Sequence, residues 1–125
     1  MNIVRKVLVV EDEYLLADEL SRFLRARGFE VLGPAPSVAR ARALIDQHPP
    51  AAAVLDIQLG DERSYPIADQ LVTLGIPFVF RTGHVHDQLP DHLRDRPVLS
   101  KLTDLSMVEQ TLSRLMAIAS GADER

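Results

Sequence analysis

The chain contains no cysteine, which excludes disulfide bonds and thiolate metal sites. It has no apolar run of membrane-spanning length, so the sequence predicts no membrane partner. Residues 1–6 lack the long apolar region of a signal peptide, and we therefore expect a cytoplasmic protein. A basic stripe is also missing, and the formal net charge is −4. This charge argues against nucleic acid as a partner.

A length of 125 residues, 46% of them hydrophobic and 26% charged, is enough for one domain with its own core. We place this domain at residues 1–120 and a short polar tail at residues 121–125. The sequence contains no internal repeat and no low-complexity segment, and we expect no output domain after the last helix.

Five short apolar runs predict β-strands, and helical patterns alternate with them. Residues 51–56 form a continuous run that is typical of a strand buried on both faces. This alternation predicts a flavodoxin-like (βα)5 fold: a doubly wound parallel sheet with strand order 2-1-3-4-5. The fourth helix is expected to be short or irregular, because residues 84–96 are polar and contain Pro90. The other four strands are predicted at residues 6–10, 30–33, 77–80 and 98–100.

Small polar residues and glycines mark the predicted ends of these elements. Ser37 and Ser64 are expected helix N-caps, and Asp104 is expected to begin the last helix. Gly75 should end the third helix, and Pro34 should end the second strand.

The carboxyl ends of the long strands carry residues of complementary chemistry. Glu11 and Asp12 follow the first strand, Asp56 ends the third, Thr82 the fourth and Lys101 the fifth. Parallel strands share one such edge, so these groups should converge. Clustered carboxylates need a counter-charge, and Mg²⁺ prefers oxygen ligands. An aspartate can be a nucleophile toward a phosphoryl group, whose oxygens Lys101 and Thr82 would stabilise.

Four motifs, in this order, resemble the receiver domain of the two-component response regulators. They are the acidic segment 7–13, the phosphoacceptor segment 54–60, the switch segment 78–83 and the lysine segment 98–101. The resemblance implies that Asp56 accepts phosphate from a phosphohistidine. The donor would be a sensor histidine kinase or a histidine phosphotransfer protein.

The resemblance also implies roles for the residues around Asp56. Thr82 would move toward the phosphate as the switch hydroxyl, and Lys101 would pair with a phosphate oxygen. The Mg²⁺ ion would be held by Glu11, Asp12, Asp56 and the backbone carbonyl of Gln58, with Asp12 as the favoured direct ligand.

Three positions depart from the usual family pattern. Leu102 follows Lys101 where the family usually has a proline with a cis bond. Since a non-proline cis bond costs about 3–4 kcal/mol, we expect a trans bond and a rearranged loop. The usual switch aromatic falls at Val98, which removes the common threonine-to-aromatic coupling. Residues 77–83 instead resemble a bacterial subgroup with a Pro-Phe-x-Phe-Ala-Thr-Gly motif, except at Arg81.

Candidate modulators of phosphoryl hydrolysis are Gln58, Arg81, Gly83 and His84. For Arg81 the sequence leaves three interpretations open: pairing with phosphate, pairing with Asp61, or extension into solvent. Extension into solvent is slightly favoured. Titration of His84 near neutral pH would tune hydrolysis.

The leading interpretation is a single-domain response regulator rather than an enzyme. It would relay phosphate, drain it from a kinase, or bind a downstream protein partner when phosphorylated. Tyr14, Leu15 and Leu16 begin the helix that would dock the kinase, although most of its apolar residues should be core. We expect a monomer or a weak homodimer.

Three other functions remain open. A pseudo-receiver would bind partners without phosphorylation. A haloacid-dehalogenase-like phosphatase is disfavoured, because Gln58 stands where that chemistry needs a second aspartate. A flavin-binding flavodoxin is disfavoured because the acidic residues 11–13 are the wrong charge for a phosphate loop.

Overall fold

A computed structural model describes residues 5–83 and 89–121. Five parallel strands form one sheet in the order β2-β1-β3-β4-β5, which confirms the predicted flavodoxin-like topology. The strands are β1 Lys6–Val10, β2 Glu30–Ala35, β3 Ala52–Asp56, β4 Phe78–Thr82 and β5 Val98–Ser100. The helices are α1 Tyr14–Ala26, α2 Val38–Gln47, α3 Tyr65–Leu74 and α4 Leu105–Ala119.

Side chains alternate between the two faces of the central strands, and each face has its own core. On one face Leu8, Leu55 and Phe80 pack with apolar residues of α2 and α3. On the other face Val9 and Val54 pack with residues of α1 and α4. Burial on both faces explains why these strands are continuous apolar runs rather than alternating patterns.

The prediction that Pro34 ends β2 is wrong, because the strand continues to Ala35. β2 lies at the edge of the sheet, where a missing N–H is tolerated. The β1–β2 register shifts between Leu8 and Val10. Gly33 has φ +99° there, and an added Cβ would lie 2.7 Å from the Ala35 nitrogen. Only glycine suits this bend, which brings the Ala35 carbonyl to the Glu11 amide at 3.0 Å.

The predicted helix ends lie at the expected residues, but only some of the predicted N-cap side chains form a capping hydrogen bond. The Ser37 side chain accepts a hydrogen bond from the Arg40 amide at 3.2 Å, as expected, and Gly75 ends α3 with φ +72°. Ser64 and Asp104 occupy N-cap positions without a side-chain cap bond. The Ser64 hydroxyl is buried without a hydrogen-bond partner among the described residues. Its amide instead donates to the Ile57 carbonyl at 2.9 Å.

The fourth crossover is irregular in the part that the structure describes. A short 3₁₀ turn spans Asp91–Leu93, and Leu93 is buried in the core. Residues 84–88, including His84, lie outside the described residues, as does the tail beyond Gly121. Within the described ranges, none of the helices has the length and apolar character needed to cross a membrane.

Candidate functional site

Asp56 lies at the carboxyl end of the central strand β3 and is 4% exposed. Its Oδ2 accepts a hydrogen bond from the Lys101 ammonium at 2.9 Å, and its Oδ1 accepts one from the Gln58 amide at 3.3 Å. Strand β1 runs parallel to β3, with Val10 opposite Leu55. The residues after β1 therefore lie beside Asp56, as the shared strand edge predicts.

Lys101 binds three carboxylates at once. Its Nζ lies 2.9 Å from Asp56, 3.1 Å from Glu11 and 3.1 Å from Glu13. An ammonium has three N–H donors, and each of these carboxylates accepts one. The Lys101 amide also donates to the Thr82 carbonyl at 2.8 Å, which holds the start of the loop against β4.

Burial and charge act in opposite directions on the pKa of Lys101. Burial alone would lower it, but the hydrogen bonds to Asp56, Glu11 and Glu13 outweigh this effect and raise it. The side chain therefore stays an ammonium at neutral pH.

Glu11 is a buried carboxyl whose pKa is raised. The pKa of Glu11 is raised to about 7: burial and the nearby charge of Asp56 raise it, and together they outweigh the lowering effect of the hydrogen bond from the Glu13 amide. A buried carboxyl with a pKa this high gains from an added cation, since a cation favours the ionised form.

The predicted magnesium ligands lie together. Glu11, Asp12 and Asp56 each offer an oxygen within 4.8 Å of the others, a donor set that suits a hard divalent cation. Asp12 Oδ2 also accepts the Gly60 amide at 2.9 Å, which ties the acidic loop to the turn after β3. The carbonyl of Gln58 stays a predicted ligand. The Gln58 amide donates to Asp56 and the Gln58 side chain donates to the Gly60 carbonyl.

A cavity of about 240 Å³ opens beside Asp56, and most of the predicted site residues line it. Thr82 ends β4 and is buried at this cavity. The remaining lining residues are Asp12, Glu13, Asp56, Gln58, Gly60, Gly83 and Lys101. An added Cβ at Gly83 would lie 3.8 Å from the Lys101 side chain, an ordinary contact. Space alone therefore does not require glycine at this position.

Arg81 does not extend into solvent, so the favoured interpretation of this residue is wrong. It is 3% exposed, and none of the ion pairs found among the described residues joins it to Asp61. Its Nε and Nη1 are buried without a hydrogen-bond partner in this part of the chain. The position of Arg81 within β4, rather than after it, explains the burial.

The Lys101–Leu102 bond is trans, as predicted; the cis bond found within the described ranges is Gly33–Pro34. The Leu102 amide donates to the Ser100 hydroxyl at 3.0 Å, and the Thr103 amide to the Ser100 carbonyl at 3.0 Å. This turn leaves the Leu102 side chain 95% exposed. Tyr14 and Leu15 are each 79% exposed, whereas Ala17, Leu20 and Leu24 of the same helix are buried, in line with the expectation that most apolar residues of α1 are core.

The sequence reasoning missed Glu13 as a partner of Lys101 and Gly60 as a partner of Asp12. Glu13 stood in the acidic run 11–13, which was the available signal. Its role depends on where α1 begins, because Glu13 is the residue that precedes the first helical turn. The Gly60 contact arises from a small hairpin of Gln58–Leu59 and Glu62–Arg63, which the sequence analysis did not predict.

Comparison with solved structures gives close matches over nearly the whole chain. The solution structure of SdrG from Sphingomonas melonis Fr1 is 38% identical, with a TM-score of 0.79 over 93% of this chain and 99% of that one. A structure of SdrG from Pseudomonas melonis Fr1, in its BeF3-activated conformation, gives a TM-score of 0.74. The CheY-like response regulator receiver domain protein of Methanospirillum hungatei JF-1 has a TM-score of 0.84 at 17% identity, which shows the fold alone.

Among curated proteins, the transcriptional regulatory protein PdtaR of Mycobacterium tuberculosis is 28% identical over 99 residues. The match spans 78% of this chain and 48% of PdtaR, so the chain corresponds to about half the length of that relative. No protein-family model matches the chain.

Proposed function

Because the chain belongs to the response regulator receiver family, we propose that it accepts a phosphoryl group on Asp56 in the presence of Mg²⁺. The donor is a phosphohistidine of a sensor histidine kinase or a histidine phosphotransfer protein. The observation that carries this proposal is the Asp56 carboxylate. It lies at a strand end, faces a cavity, and is held by Lys101 at 2.9 Å.

The transfer needs one bond to form and one to break. A carboxylate oxygen of Asp56 attacks the phosphorus, a P–O bond forms, and the P–N bond to the histidine breaks. The imidazole leaves with the electron pair and takes up a proton. Lys101 stabilises the negative charge of the transferring oxygens, and the Thr82 hydroxyl at the same cavity is a second donor for them.

Magnesium, when bound by Glu11, Asp12 and Asp56, supplies positive charge to the phosphoryl oxygens. The fit rests on three converging carboxylate oxygens. Burial and the nearby charge of Asp56 raise the pKa of Glu11, and a bound cation would offset both effects.

We propose that the protein acts in the cell as a single-domain regulator of the subgroup with the Pro-Phe-x-Phe-Ala-Thr-Gly motif. It relays phosphate, drains it from a kinase or binds a downstream protein when phosphorylated. Exposed apolar side chains near the site support docking of a histidine-bearing protein, since large exposed apolar groups often mark interaction surfaces. They are Tyr14 and Leu15 at the start of α1, and Leu102 after Lys101.

The proposal is tested by intact mass after incubation with acetyl phosphate and Mg²⁺. We expect one adduct of about 80 Da on the wild type, absent in Asp56→Asn and absent without Mg²⁺. Asp61→Asn is the matched control, because Asp61 is an exposed acid in the hairpin turn that follows β3. It should gain the adduct.

The result can also contradict the proposal. A folded protein that neither gains the adduct nor binds beryllofluoride would indicate a pseudo-receiver. Steady turnover of a phosphomonoester would indicate a phosphatase.

A further inference from the structure

Arg81 is a buried cation whose hydrogen-bonding capacity is not used. It is 3% exposed, and its Nε and Nη1 atoms have no hydrogen-bond partner in the described part of the chain. Burying an unpaired charge is unfavourable. A side chain kept in this condition is expected to have a partner in another state of the protein.

The neighbour of Arg81 in the sheet is the phosphoacceptor. Asp56 on β3 pairs directly with Arg81 on β4, and Arg81 pairs in turn with Leu99 on β5. Paired residues of parallel strands lie about 4.8 Å apart and point to the same face. That face carries Val54 and Val79 two residues earlier on the two strands. The side chains of Arg81 and Asp56 therefore leave neighbouring strands at paired positions on one face of the sheet.

Lys101 has no unused donor for a phosphoryl group in the part of the chain that the structure describes. Lys101 already donates to Glu11, Glu13 and Asp56, which accounts for its three N–H groups. A phosphoryl group brings a charge of about −2 and three acceptor oxygens. The unused Nε and Nη1 groups of Arg81, on the neighbouring strand, would supply hydrogen bonds to phosphoryl oxygens that Lys101 does not reach.

We propose that Arg81 is a second phosphoryl-binding residue, whose guanidinium turns to the phosphoryl group on Asp56. This inference rests on the proposed phosphorylation of Asp56. Arg81 carries an unsatisfied charge in the free protein and gains its partner only on phosphorylation. Its contribution therefore favours the phosphorylated state over the free state.

The test measures ligand binding and ligand-free stability together in wild type and Arg81→Met, which keeps the length of the side chain and removes the charge. The probe is beryllofluoride with saturating Mg²⁺, because its fluorines stand in for the phosphoryl oxygens. We expect affinity to fall about tenfold or more in Arg81→Met, as for loss of charge-assisted hydrogen bonds. The urea midpoint of the ligand-free variant should equal or exceed that of the wild type.

Arg81→Lys separates the proposed role from a structural one. It keeps the charge, so we expect its affinity to lie between those of the wild type and Arg81→Met. The proposal is overturned if Arg81→Met binds within twofold of the wild type. It is also overturned if Arg81→Met and Arg81→Lys both lose stability and affinity to the same extent.

A variant that fails to fold is replaced by Arg81→Gln, judged by the same two criteria. Asp56→Asn reports on the underlying function. If wild type and Asp56→Asn bind the probe equally, the proposed phosphoacceptor role fails. If only Asp56→Asn loses binding while Arg81→Met does not, the inference about Arg81 alone fails.

Discussion

Glu13 should oppose phosphorylation, because it occupies one of the three donors of Lys101. Phosphoryl oxygens that bind Lys101 must displace one of the carboxylates Glu11, Glu13 and Asp56. Glu13 is the easiest to displace, since its side chain is 62% exposed while that of Glu11 is 3% exposed. Replacing Glu13 with glutamine keeps its volume and removes its charge, which weakens the hydrogen bond that must be displaced from Lys101.

The size of the effect follows from the exposure of the pair. Ion pairs with a solvent-exposed partner are worth about 0.2–1 kcal/mol, and each 1.4 kcal/mol is a factor of about ten in an equilibrium constant. Glu13→Gln should therefore raise the affinity for beryllofluoride about 1.4- to fivefold. Calorimetric titration at saturating Mg²⁺ measures this change directly.

Salt and a charge-matched control check the cause. The gain in beryllofluoride affinity of Glu13→Gln should shrink at high ionic strength, because salt screens the exposed Lys101–Glu13 ion pair. Glu19→Gln removes the same charge from an exposed position on α1 and should leave the affinity unchanged. Unchanged or weaker binding by Glu13→Gln would refute the competition, as would an equal gain in Glu19→Gln.

Two further predictions concern pH and docking. In metal-free protein the pKa of Glu11 is about 7 against an ordinary 4.5. The free energy of unfolding should therefore fall as pH rises through this window, because the folded chain keeps a proton that the unfolded chain has lost. Glu11→Gln should remove up to about 3 kcal/mol of that fall in urea unfolding; an equal fall in both proteins would contradict the assignment. Leu15→Asp and Leu102→Asp should slow phosphotransfer from a histidine kinase but not phosphorylation by acetyl phosphate, because these exposed residues do not line the cavity. Val72→Asp, exposed on α3, is the matched control, and equal slowing with both donors would disprove a docking role.

The fold was predictable because its central strands are buried on both faces. Continuous apolar runs at β1, β3 and β4, separated by helical patterns, leave few topologies. The extension of β2 past Pro34 was not predictable from the run itself. It depends on β2 being an edge strand, a property of the whole sheet rather than of the segment. The missing cap bond of Ser64 was not predictable either: its backbone, with φ −80° and ψ 5°, departs from the extended conformation that directs an N-cap side chain to the first helical turn.

The candidate site was predictable for the same reason that the fold was. Once β1, β3, β4 and β5 are parallel, the residues that follow them must meet at one edge. The partners within that edge were not predictable, because they depend on distances of a few tenths of an ångström. The sequence shows three consecutive acids at 11–13, but not that Glu11 and Glu13 face Lys101 while Asp12 binds the Gly60 amide.

The two cations next to Asp56 differ in a way that only the structure shows. All three N–H donors of Lys101 are already bonded to carboxylates. By contrast, the Nε and Nη1 donors of Arg81 have no acceptor within the described chain. Removing the charge of one Lys101 acceptor should therefore strengthen binding of a phosphoryl mimic, and removing the charge of Arg81 should weaken it. Net charge alone would produce the same two signs, because Glu13→Gln removes a negative charge and Arg81→Met removes a positive one. The effect of Arg81→Lys is therefore decisive: if charge alone mattered, lysine would restore affinity in full. A requirement for the guanidinium as a donor predicts only partial recovery.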